Sequence, residues 1–427
     1  MTTTTFTRSG TVRSSQSIQR LIVAASIGNA LEWFDLVVYG FFAMSIAKSF
    51  FPTASAGLSM ILTLGTFGIS FVVRPVGALV LGSYADRKGR KASMLLSITL
   101  MMVGTFMIAV MPSYSSIGIV APLGILLSRL IQGFSAGGEF GSATALLVEH
   151  APERRGFMSS WQFASQGLTT VLASIFGLLL TTQLSAAQLD AWGWRIPFIF
   201  GLLIGPVGIY IRKHIGEGAE FEATELNASP VKYLLVHQKA RVLMSTGALV
   251  MSTAAGYLIL YMPTYAIKQL HLPASVGFAS TLLGGVVLTV LTPWVGHISD
   301  RLGRTKLMIG AALAYAITVT PAFIWLRQVP SVTTLMLVML WLCFLKSVYF
   351  GALPALMSEA FPAATRATGL ALSYNLGTTI FGGFTPLIIA TLISTTGSKL
   401  SPAFYLMLCA ALSLIALVGL RRRYRLH

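Results

Sequence analysis

Acidic residues are scarce in this sequence of 427 residues, and charge of either sign is sparse. Asp and Glu number 13 against 30 Lys and Arg, charged residues make up 10% of the chain, and hydrophobic residues make up 55%. A soluble domain carries about 25% charged residues, so this composition cannot supply the polar surface of a water-soluble fold. Together with a mean hydropathy of +0.77, it predicts an integral membrane protein.

Cysteine is nearly absent, and several functional signatures are missing. Cys343 and Cys409 both lie inside apolar runs, so the sequence offers no disulfide framework and no metal-ligand spacing. It contains no nucleophile–base pair and no phosphate-binding loop, and we therefore predict neither an enzyme nor a bound cofactor or metal. The polar start MTTTTFTRSGTVRSSQSIQR lacks the apolar stretch of a cleaved signal peptide, so residues 1–17 are predicted to form a cytoplasmic tail.

Long apolar runs, in contrast, recur along the whole chain. A helix needs about 20 apolar residues to cross the hydrocarbon of a bilayer. Twelve candidate spans meet this requirement: 18–47, 56–84, 92–112, 118–147, 156–183, 192–212, 241–267, 276–298, 305–326, 332–358, 367–394 and 401–420. The predicted fold class is therefore an all-α integral membrane protein with twelve transmembrane helices.

The distribution of basic residues predicts the orientation of these helices. With the amino terminus inside, 22 Lys and Arg fall in cytoplasmic segments and five (Lys48, Arg195, Lys268, Arg327 and Lys399) on the opposite side. Cytoplasmic loops carry an excess of Lys and Arg, which accounts for the net charge of +17 without a nucleic-acid partner. Both termini are predicted to be cytoplasmic, with residues 421–427 as the second tail.

Two echoes at nearly the same offset indicate an internal repeat of half the chain. GSYADRKGRK begins at Gly82 and GHISDRLGRTK at Gly296, 214 residues later. VEHAPERRG and SEAFPAATRATG follow, and their acids Glu149 and Glu359 are 210 residues apart. We predict two six-helix bundles, 18–212 and 241–420, joined by a cytoplasmic linker, 213–240. A parallel duplication of this kind puts a substrate site between the halves near the midplane.

The repeated motifs combine acids with bases in short cytoplasmic turns. Topology alone does not need the acids, so we predict a cytoplasmic latch across the helix ends, with the setting of topology as the alternative. The predicted latch residues are Asp86, Arg90, Glu149, Arg155, Asp300, Arg304, Glu359 and Arg366.

Several ionisable residues lie within the predicted spans, where each is a candidate functional residue. Asp35 is 17 residues into span 1, and Arg129 is about 11 residues into span 4 from the other side. These depths, roughly 25 Å and 17 Å from opposite faces, allow the two to meet. An Asp that gains and loses such a partner can carry a proton, although a permanent ion pair is the alternative. Glu32 is either a second proton site or a partner of Arg74.

Arg74 and Lys346 suit an anionic substrate, because Arg offers a planar fork to a carboxylate and Lys a point charge. Glu139 follows small residues and is a weaker candidate, in a helix interface. Uncharged polar residues are predicted to complete the lining, with helix packing as the alternative for each: Asn29, Gln132, Gln162, Gln166, Tyr257, Tyr261 and Asn375.

The motif G-x-x-x-D-R-x-G-R in both halves resembles the major facilitator superfamily. More narrowly, GNALEWFD, RPVGALVLGSYADRKGRK, RLIQGFSAGGEFG, WGWRIPF and IFGGFTP are similar to the metabolite–proton symporters, which include permeases for citrate and 2-oxoglutarate. In proton-coupled relatives the arginine that matches Arg129 faces an acid of span 1. The citrate branch usually has an apolar or small residue at the position of Lys346, which opposes citrate itself but favours another acid.

This resemblance implies proton-coupled uptake of a small organic acid across the bacterial inner membrane by alternating access, with a di- or tricarboxylate such as citrate or 2-oxoglutarate as the expected substrate. The partners implied are the acid, the proton and the lipid bilayer, and the expected functional unit is a monomer. The alternatives are a zwitterionic osmolyte such as proline or betaine, a monocarboxylate such as shikimate, or a transporter-like sensor. Osmosensing relatives carry a long carboxy-terminal extension that is missing here, and no loop is large enough for a signalling domain.

Overall fold

The computed structural model describes residues 15–88, 90–137, 139–214, 234, 236–362 and 365–426. Within these ranges the chain is helical and contains no β-strand. Most of the predicted amino-terminal tail and of the predicted linker 213–240 lies outside the described residues. The structure therefore describes mainly the helices and the contacts between them.

The helices of the amino-terminal half build six spans. Span 1 comprises Ser15–Phe41 and Ala43–Phe50, span 2 Ala56–Val72 and Arg74–Lys88, span 3 Arg90–Val110, span 4 Val120–Ala136 and Glu139–His150, span 5 Arg155–Gln183, and span 6 Ile196–His214. Short helices lie at Tyr114–Ile117 and Ala186–Ala191, and 3₁₀ turns lie at Pro152–Arg154 and Gly193–Arg195.

The carboxy-terminal half repeats this order. Span 7 is Lys239–Lys268, span 8 Ala274–Leu302, span 9 Arg304–Gln328, span 10 Val332–Glu359, span 11 Arg366–Thr378 continued by Thr385–Thr396, and span 12 Ser401–Tyr424. In the described ranges nine helices are long and apolar enough to cross a membrane, and the bent pair of span 1 makes a tenth. The shorter apolar helices Leu95–Val110 and Val120–Ala136 bring the number of spans to twelve.

Spans 1, 2 and 11 are each interrupted within the span, and these interruptions adjoin the interface of the halves. Span 1 bends by 71° between its two helices, and span 11 contains a π-helical turn at Thr379–Gly383. Span 2 breaks at Val73, directly before Arg74 and Pro75. Proline has no N–H and clashes with the carbonyl four residues earlier. That carbonyl, on Phe71, accepts a 2.8 Å hydrogen bond from Thr379 Oγ1 of span 11, so the other half of the molecule stabilises the break.

Glycines allow the spans to pack closely, as is usual for helices in a membrane. A Cβ on Gly133 of span 4 would overlap the Ser70 carbonyl of span 2, and a Cβ on Gly137 would overlap that of Arg74. Spans 5 and 8 form an equally close contact between the halves, where Gly156 and Gly296 each face the other's carbonyl. The close approach of spans 2 and 4 places Arg129 and Arg74 beside each other in the interior.

Candidate functional site

Five of the ionisable residues predicted within the spans are buried in the interior. Their exposed fractions do not exceed 7%. These residues are Glu32, Asp35, Arg74, Arg129 and Lys346. Burying a charge is costly unless it is paired or hydrogen-bonded, so the contacts of each determine what it can do.

Glu32 and Arg74 form an ion pair between spans 1 and 2. Glu32 Oε1 lies 2.8 Å from Arg74 Nη2, and the guanidinium lies 4.2 Å above the centre of the Phe71 ring. The Nε and Nη1 atoms of Arg74 have no hydrogen-bond acceptor among the described residues. Of the two roles predicted for Glu32, the structure contains the pairing with Arg74, and this arginine keeps unused donors.

Asp35 and Arg129 belong to one polar cluster, but an amide lies between them. Gln132 Oε1 accepts a 2.7 Å hydrogen bond from Arg129 Nη1, and Gln132 Nε2 donates to Asp35 Oδ2 at 3.2 Å. Thr105 of span 3 also donates to Asp35, and Arg129 Nη2 donates to Ser70 at 3.3 Å. The span 4 arginine therefore reaches the span 1 acid through Gln132 rather than by direct contact.

Asp35 also borders a cavity inside the amino-terminal bundle. The cavity lies between spans 1, 3 and 6, and a Cβ on Gly201 of span 6 would come within 3.1 Å of Asp35 Oδ1. Glu32 borders the same cavity, and its other neighbours are Ser97, Ile98, Met101, Met102, Thr105, Gly201, Leu202 and Gly205. Both acids of span 1 thus share one space within a single half of the molecule.

A second cavity lies between the two halves, and Lys346 borders it. Its lining residues are Trp33, Phe163, Gln166, Leu249, Ser252, Thr253, Gly256, Tyr257, Lys346, Phe350, Tyr374 and Thr378. We call this space the central cavity. Lys346 Nζ lies 4.3 Å above the Phe350 ring and contacts no acid or hydrogen-bond acceptor in the part of the chain that the structure describes. The Tyr257 hydroxyl likewise has no partner among those residues.

The other predicted lining residues are divided between the central cavity and helix contacts. Gln166 and Tyr257 border the cavity, whereas Tyr261 packs in the core of the carboxy-terminal half. Asn375 donates to the Gly137 carbonyl at 2.7 Å, which joins span 11 to span 4. Asn29 donates to the Gln162 carbonyl at 2.6 Å, and the side chain of Gln162 does not border the cavity.

Several aromatic residues that line the central cavity were not predicted from the sequence. The central cavity is bordered by Trp33, Phe163, Phe350 and Tyr374. From the sequence alone, an aromatic residue in an apolar span is interpreted as part of the packed core. One signal was available: Phe350 follows Lys346 by four residues, and residues so spaced lie on one face of a helix.

Six of the predicted latch residues meet at one end of the molecule, which we call the latch end. Asp300 accepts hydrogen bonds from the backbone N–H groups of Gly156 and Phe157, at 2.8 and 3.1 Å, and a 2.8 Å bond from Arg304. These bonds connect the end of span 8 to the beginning of span 5, where a helix amino terminus favours negative charge. A carboxylate of one half therefore caps a helix of the other.

Three further ion pairs complete the latch end. Glu359 lies 2.7 Å from Arg304 and 3.8 Å from Arg155, and Glu149 lies 3.4 Å from Arg366. The Arg155–Glu359 and Glu149–Arg366 contacts both cross between the halves. The side chains of Asp86, Arg90 and Glu139 lie outside what the structure describes.

Aromatic residues join the halves at the opposite end. The Phe278 ring of span 8 packs against Phe41 at 5.5 Å and against Phe42 at 5.8 Å between ring centres. Ser174 and Thr281 share a 2.9 Å hydrogen bond between spans 5 and 8. The halves thus contact each other at both ends, with the central cavity between these contacts.

The repeated halves and the buried charges can now be compared with known proteins. A family model described as sugar (and other) transporter matches residues 21–217 and 211–421, which covers nearly the whole chain. The chain belongs to this transporter family of the major facilitator superfamily. The resemblance noted in the sequence is thereby confirmed, and the molecule is a multi-pass membrane transporter rather than an enzyme.

Relatives and solved structures of this family agree with the fold. The chain is 40% identical to a citrate-proton symporter of Klebsiella pneumoniae, over 94% of this chain and 91% of the relative. It is 33% identical to an alpha-ketoglutarate permease of Escherichia coli over 99% of both chains. The fold matches the xylose transporter XylE from E. coli in a partially occluded inward-open conformation, with a TM-score of 0.73 and 17% identity over 95% and 97% of the two chains. The predicted all-α transporter fold is confirmed.

Proposed function

We propose that this transporter carries a small organic acid with at least two carboxylates into the cell together with protons. The observation that carries the proposal is Lys346, a cation bordering the central cavity with no acid beside it in the described residues. An uncompensated buried charge is unfavourable, and a substrate carboxylate at this site would offset it. The citrate and alpha-ketoglutarate specificities in the relatives' names support a polycarboxylate.

The second anchor of the substrate is Arg74. Its Nε and Nη1 donors are free of acceptors in the described part of the chain, and the neighbouring Tyr257 hydroxyl is free as well. Arg74 belongs to one half, whereas Tyr257 and Lys346 belong to the other. A substrate that bridges them would therefore link the two halves, which a rocking carrier needs in order to respond to loading.

Asp35 is the proposed proton carrier. It is buried, it is held by the neutral donors Thr105 and Gln132, and Arg129 reaches it only through Gln132. Rotation of the Gln132 amide would make or break this link, and a buried carboxylate that loses its cationic partner favours the protonated form. Proton coupling in the named citrate-proton symporter supports this role.

Alternating access would use the contacts at the two ends in turn. The latch end, with Asp300 and Glu359, would open toward the cytoplasm, and the contacts of Phe278 would open toward the outside. This assignment follows the excess of basic residues at the latch end, with both termini in the cytoplasm of a bacterial cell. We further propose that the monomer is the functional unit.

Uptake into proteoliposomes with and without an inward proton gradient tests the proposal. The substrate panel contains citrate, 2-oxoglutarate, shikimate, proline and betaine, the last two because proline/betaine transporters are 33% identical to this chain. We expect gradient-driven accumulation of citrate, of 2-oxoglutarate or of both. Accumulation of proline or betaine without either acid would overturn the carboxylate assignment, and accumulation unaffected by the gradient would overturn proton coupling.

A further inference from the structure

We propose that Trp33 and Gln166 form a subsite for one uncharged oxygen of the substrate, a keto or hydroxyl oxygen carried between its carboxylates. This inference rests on the proposed function and narrows its substrate class. The transporter would select oxo- or hydroxy-polycarboxylates over polycarboxylates with an unsubstituted carbon chain.

Both side chains bring a buried N–H group to the central cavity. Trp33 of span 1 and Gln166 of span 5 border this cavity, and each is 6% exposed. Trp33 Nε1 and Gln166 Nε2 have no hydrogen-bond partner among the residues that the structure describes. A buried donor without an acceptor is unfavourable, so both groups favour a ligand that supplies one.

The position at the cavity distinguishes Trp33 from Trp194. Trp194 Nε1 also lacks a partner in the described ranges. However, Trp194 packs against Phe50 and Phe198 and borders neither of the two cavities. A ligand could approach this indole only by displacing packed rings. Trp33, in contrast, adjoins the space that the proposed substrate occupies.

The two N–H groups lie near one point of the cavity wall. The Tyr374 hydroxyl of span 11 lies close to both side chains but completes a hydrogen bond with neither N–H group. An indole N–H can only donate, and the amide nitrogen of Gln166 is a donor as well. A carbonyl oxygen has two lone pairs, so a single keto oxygen at this point can accept a hydrogen bond from both.

Charge assigns this subsite to an uncharged oxygen rather than to a carboxylate. Trp33, Gln166 and Tyr374 are neutral, whereas the groups proposed for the carboxylates, Lys346 and Arg74, are cations. A buried carboxylate needs a compensating charge, and charge-assisted hydrogen bonds are stronger than neutral ones. The carboxylates should therefore bind the cations, which leaves the neutral donors to a neutral oxygen.

Aromatic rings connect this subsite to Lys346. The Lys346 ammonium lies 4.3 Å above the Phe350 ring, and Phe350 stacks on Phe163 of the other half at 4.0 Å between ring centres. Gln166 follows Phe163 by three residues, so both lie on one face of span 5. A substrate anchored at Lys346 would lie along these rings and bring the next oxygen of its chain toward Gln166 and Trp33.

Pairs of acids that differ by one oxygen test the inference in the purified transporter. The first pair is 2-oxoglutarate and glutarate, the second is citrate and propane-1,2,3-tricarboxylate, and titration calorimetry gives each affinity. One neutral hydrogen bond changes affinity about fivefold. With two bonds, we expect the acid that carries the oxygen to bind roughly 25-fold more tightly than the other acid of its pair.

Gln166→Met and Trp33→Phe each remove one of the two donors. Each should weaken binding of the acid that carries the oxygen about fivefold and leave the affinity for the unsubstituted acid unchanged. Gln183→Met and Trp194→Phe are the matched controls, because Gln183 is exposed at the end of span 5 and Trp194 lies away from both cavities. Both controls should preserve the difference between the two acids.

The outcomes separate this inference from the proposed function. Equal affinities within each pair in the original protein would overturn the inference, and so would variants that weaken both acids alike or neither of them. If one variant does not fold, the other variant and the original protein still decide. Failure of all four acids to bind would overturn the polycarboxylate assignment as well. If Lys346→Met weakens both acids of a pair equally, that assignment stands even where the oxygen makes no difference.

Discussion

The amino-terminal half surrounds its buried cations with acids and amides, whereas the carboxy-terminal half leaves Lys346 against an aromatic ring. In the first half Glu32 contacts Arg74, and Gln132 links Arg129 to Asp35. In the second half the Lys346 ammonium lies against the Phe350 ring, and no acid contacts Lys346 within the described ranges. The two halves share a repeat, yet their interiors differ in charge.

We propose that this difference reflects different roles of the two halves of the repeat. Glu149 and Glu359, the matching acids of the two repeats, each pair with an arginine of the other half, as expected where both halves must open and close at the same end. The interiors are not bound by that requirement. One half can hold groups that exchange protons, and the other can hold a positive charge that only a substrate neutralises.

The largest effect is expected at the proton side of the comparison. Asp35→Asn should abolish accumulation driven by a proton gradient, because an amide cannot bind and release the proton, while exchange of substrate across the membrane persists. Uptake and counterflow in proteoliposomes measure the two activities. Asp190→Asn is the control, since Asp190 pairs with Lys48 outside the interior cluster. Normal accumulation in Asp35→Asn would transfer the proton site to Glu32.

Lys346→Met tests the other side of the comparison. Loss of one partner of a desolvated charge pair costs about 2–5 kcal/mol, so affinity for a di- or tricarboxylate should fall roughly 30-fold or more. A monocarboxylate or zwitterion that leaves this site empty should be little affected, and binding assays measure each. Lys399→Met is the control, because Lys399 donates to the Gln269 carbonyl near the membrane edge. Equal losses for all substrates would contradict the polycarboxylate assignment.

Asp300→Asn tests the feature that the halves share. The amide loses charge-assisted bonds to Gly156, Phe157 and Arg304, and a bond to a charged group contributes about 1.5–3 kcal/mol. The balance of open and closed states at the latch end should therefore shift by roughly tenfold or more, without loss of membrane insertion. Cysteine accessibility from each side of the membrane measures this shift.

Glu153→Gln is the matched control, because Glu153 is exposed in the turn that precedes span 5. Unchanged accessibility in Asp300→Asn would mean that the latch-end charges serve topology alone.

The smallest effect is expected for Tyr257→Phe. The Tyr257 hydroxyl has no partner in the described residues, so its loss should leave stability unchanged and weaken polycarboxylate binding about fivefold, or about 1 kcal/mol. Tyr349→Phe is the converse control, since that hydroxyl donates to the Ala248 carbonyl at 2.6 Å. It should lower stability by about 1 kcal/mol and spare affinity. Thermal unfolding and substrate binding together distinguish the two, and a loss of stability in Tyr257→Phe would argue for a structural hydroxyl.

Residues of the candidate site differ in how far they could be predicted. A charged residue in an apolar span is costly and therefore marks a candidate functional site. On this ground the sequence identified Asp35, Arg74, Arg129 and Lys346. Tyr257 and Tyr261 could not be separated, since residues four apart occupy one face of a helix. Of the two, only Tyr257 lines the central cavity, whereas Tyr261 packs in the core of the carboxy-terminal half. Trp33 and Phe163 carry no signal that distinguishes lining from core.

The sequence alone determined that the chain spans the membrane, that it is duplicated, and which charges are buried. These properties depend on composition and on spacing along the chain, because each helix that crosses the bilayer must satisfy its backbone hydrogen bonds within its own segment. The tertiary structure alone decided which groups these charges contact. Glu32 forms an ion pair with Arg74, and Gln132 links Arg129 to Asp35 by hydrogen bonds. Lys346 borders the central cavity. Such pairings depend on the rotation and depth of each helix against its neighbours, and these are set by packing between spans that are distant in the sequence.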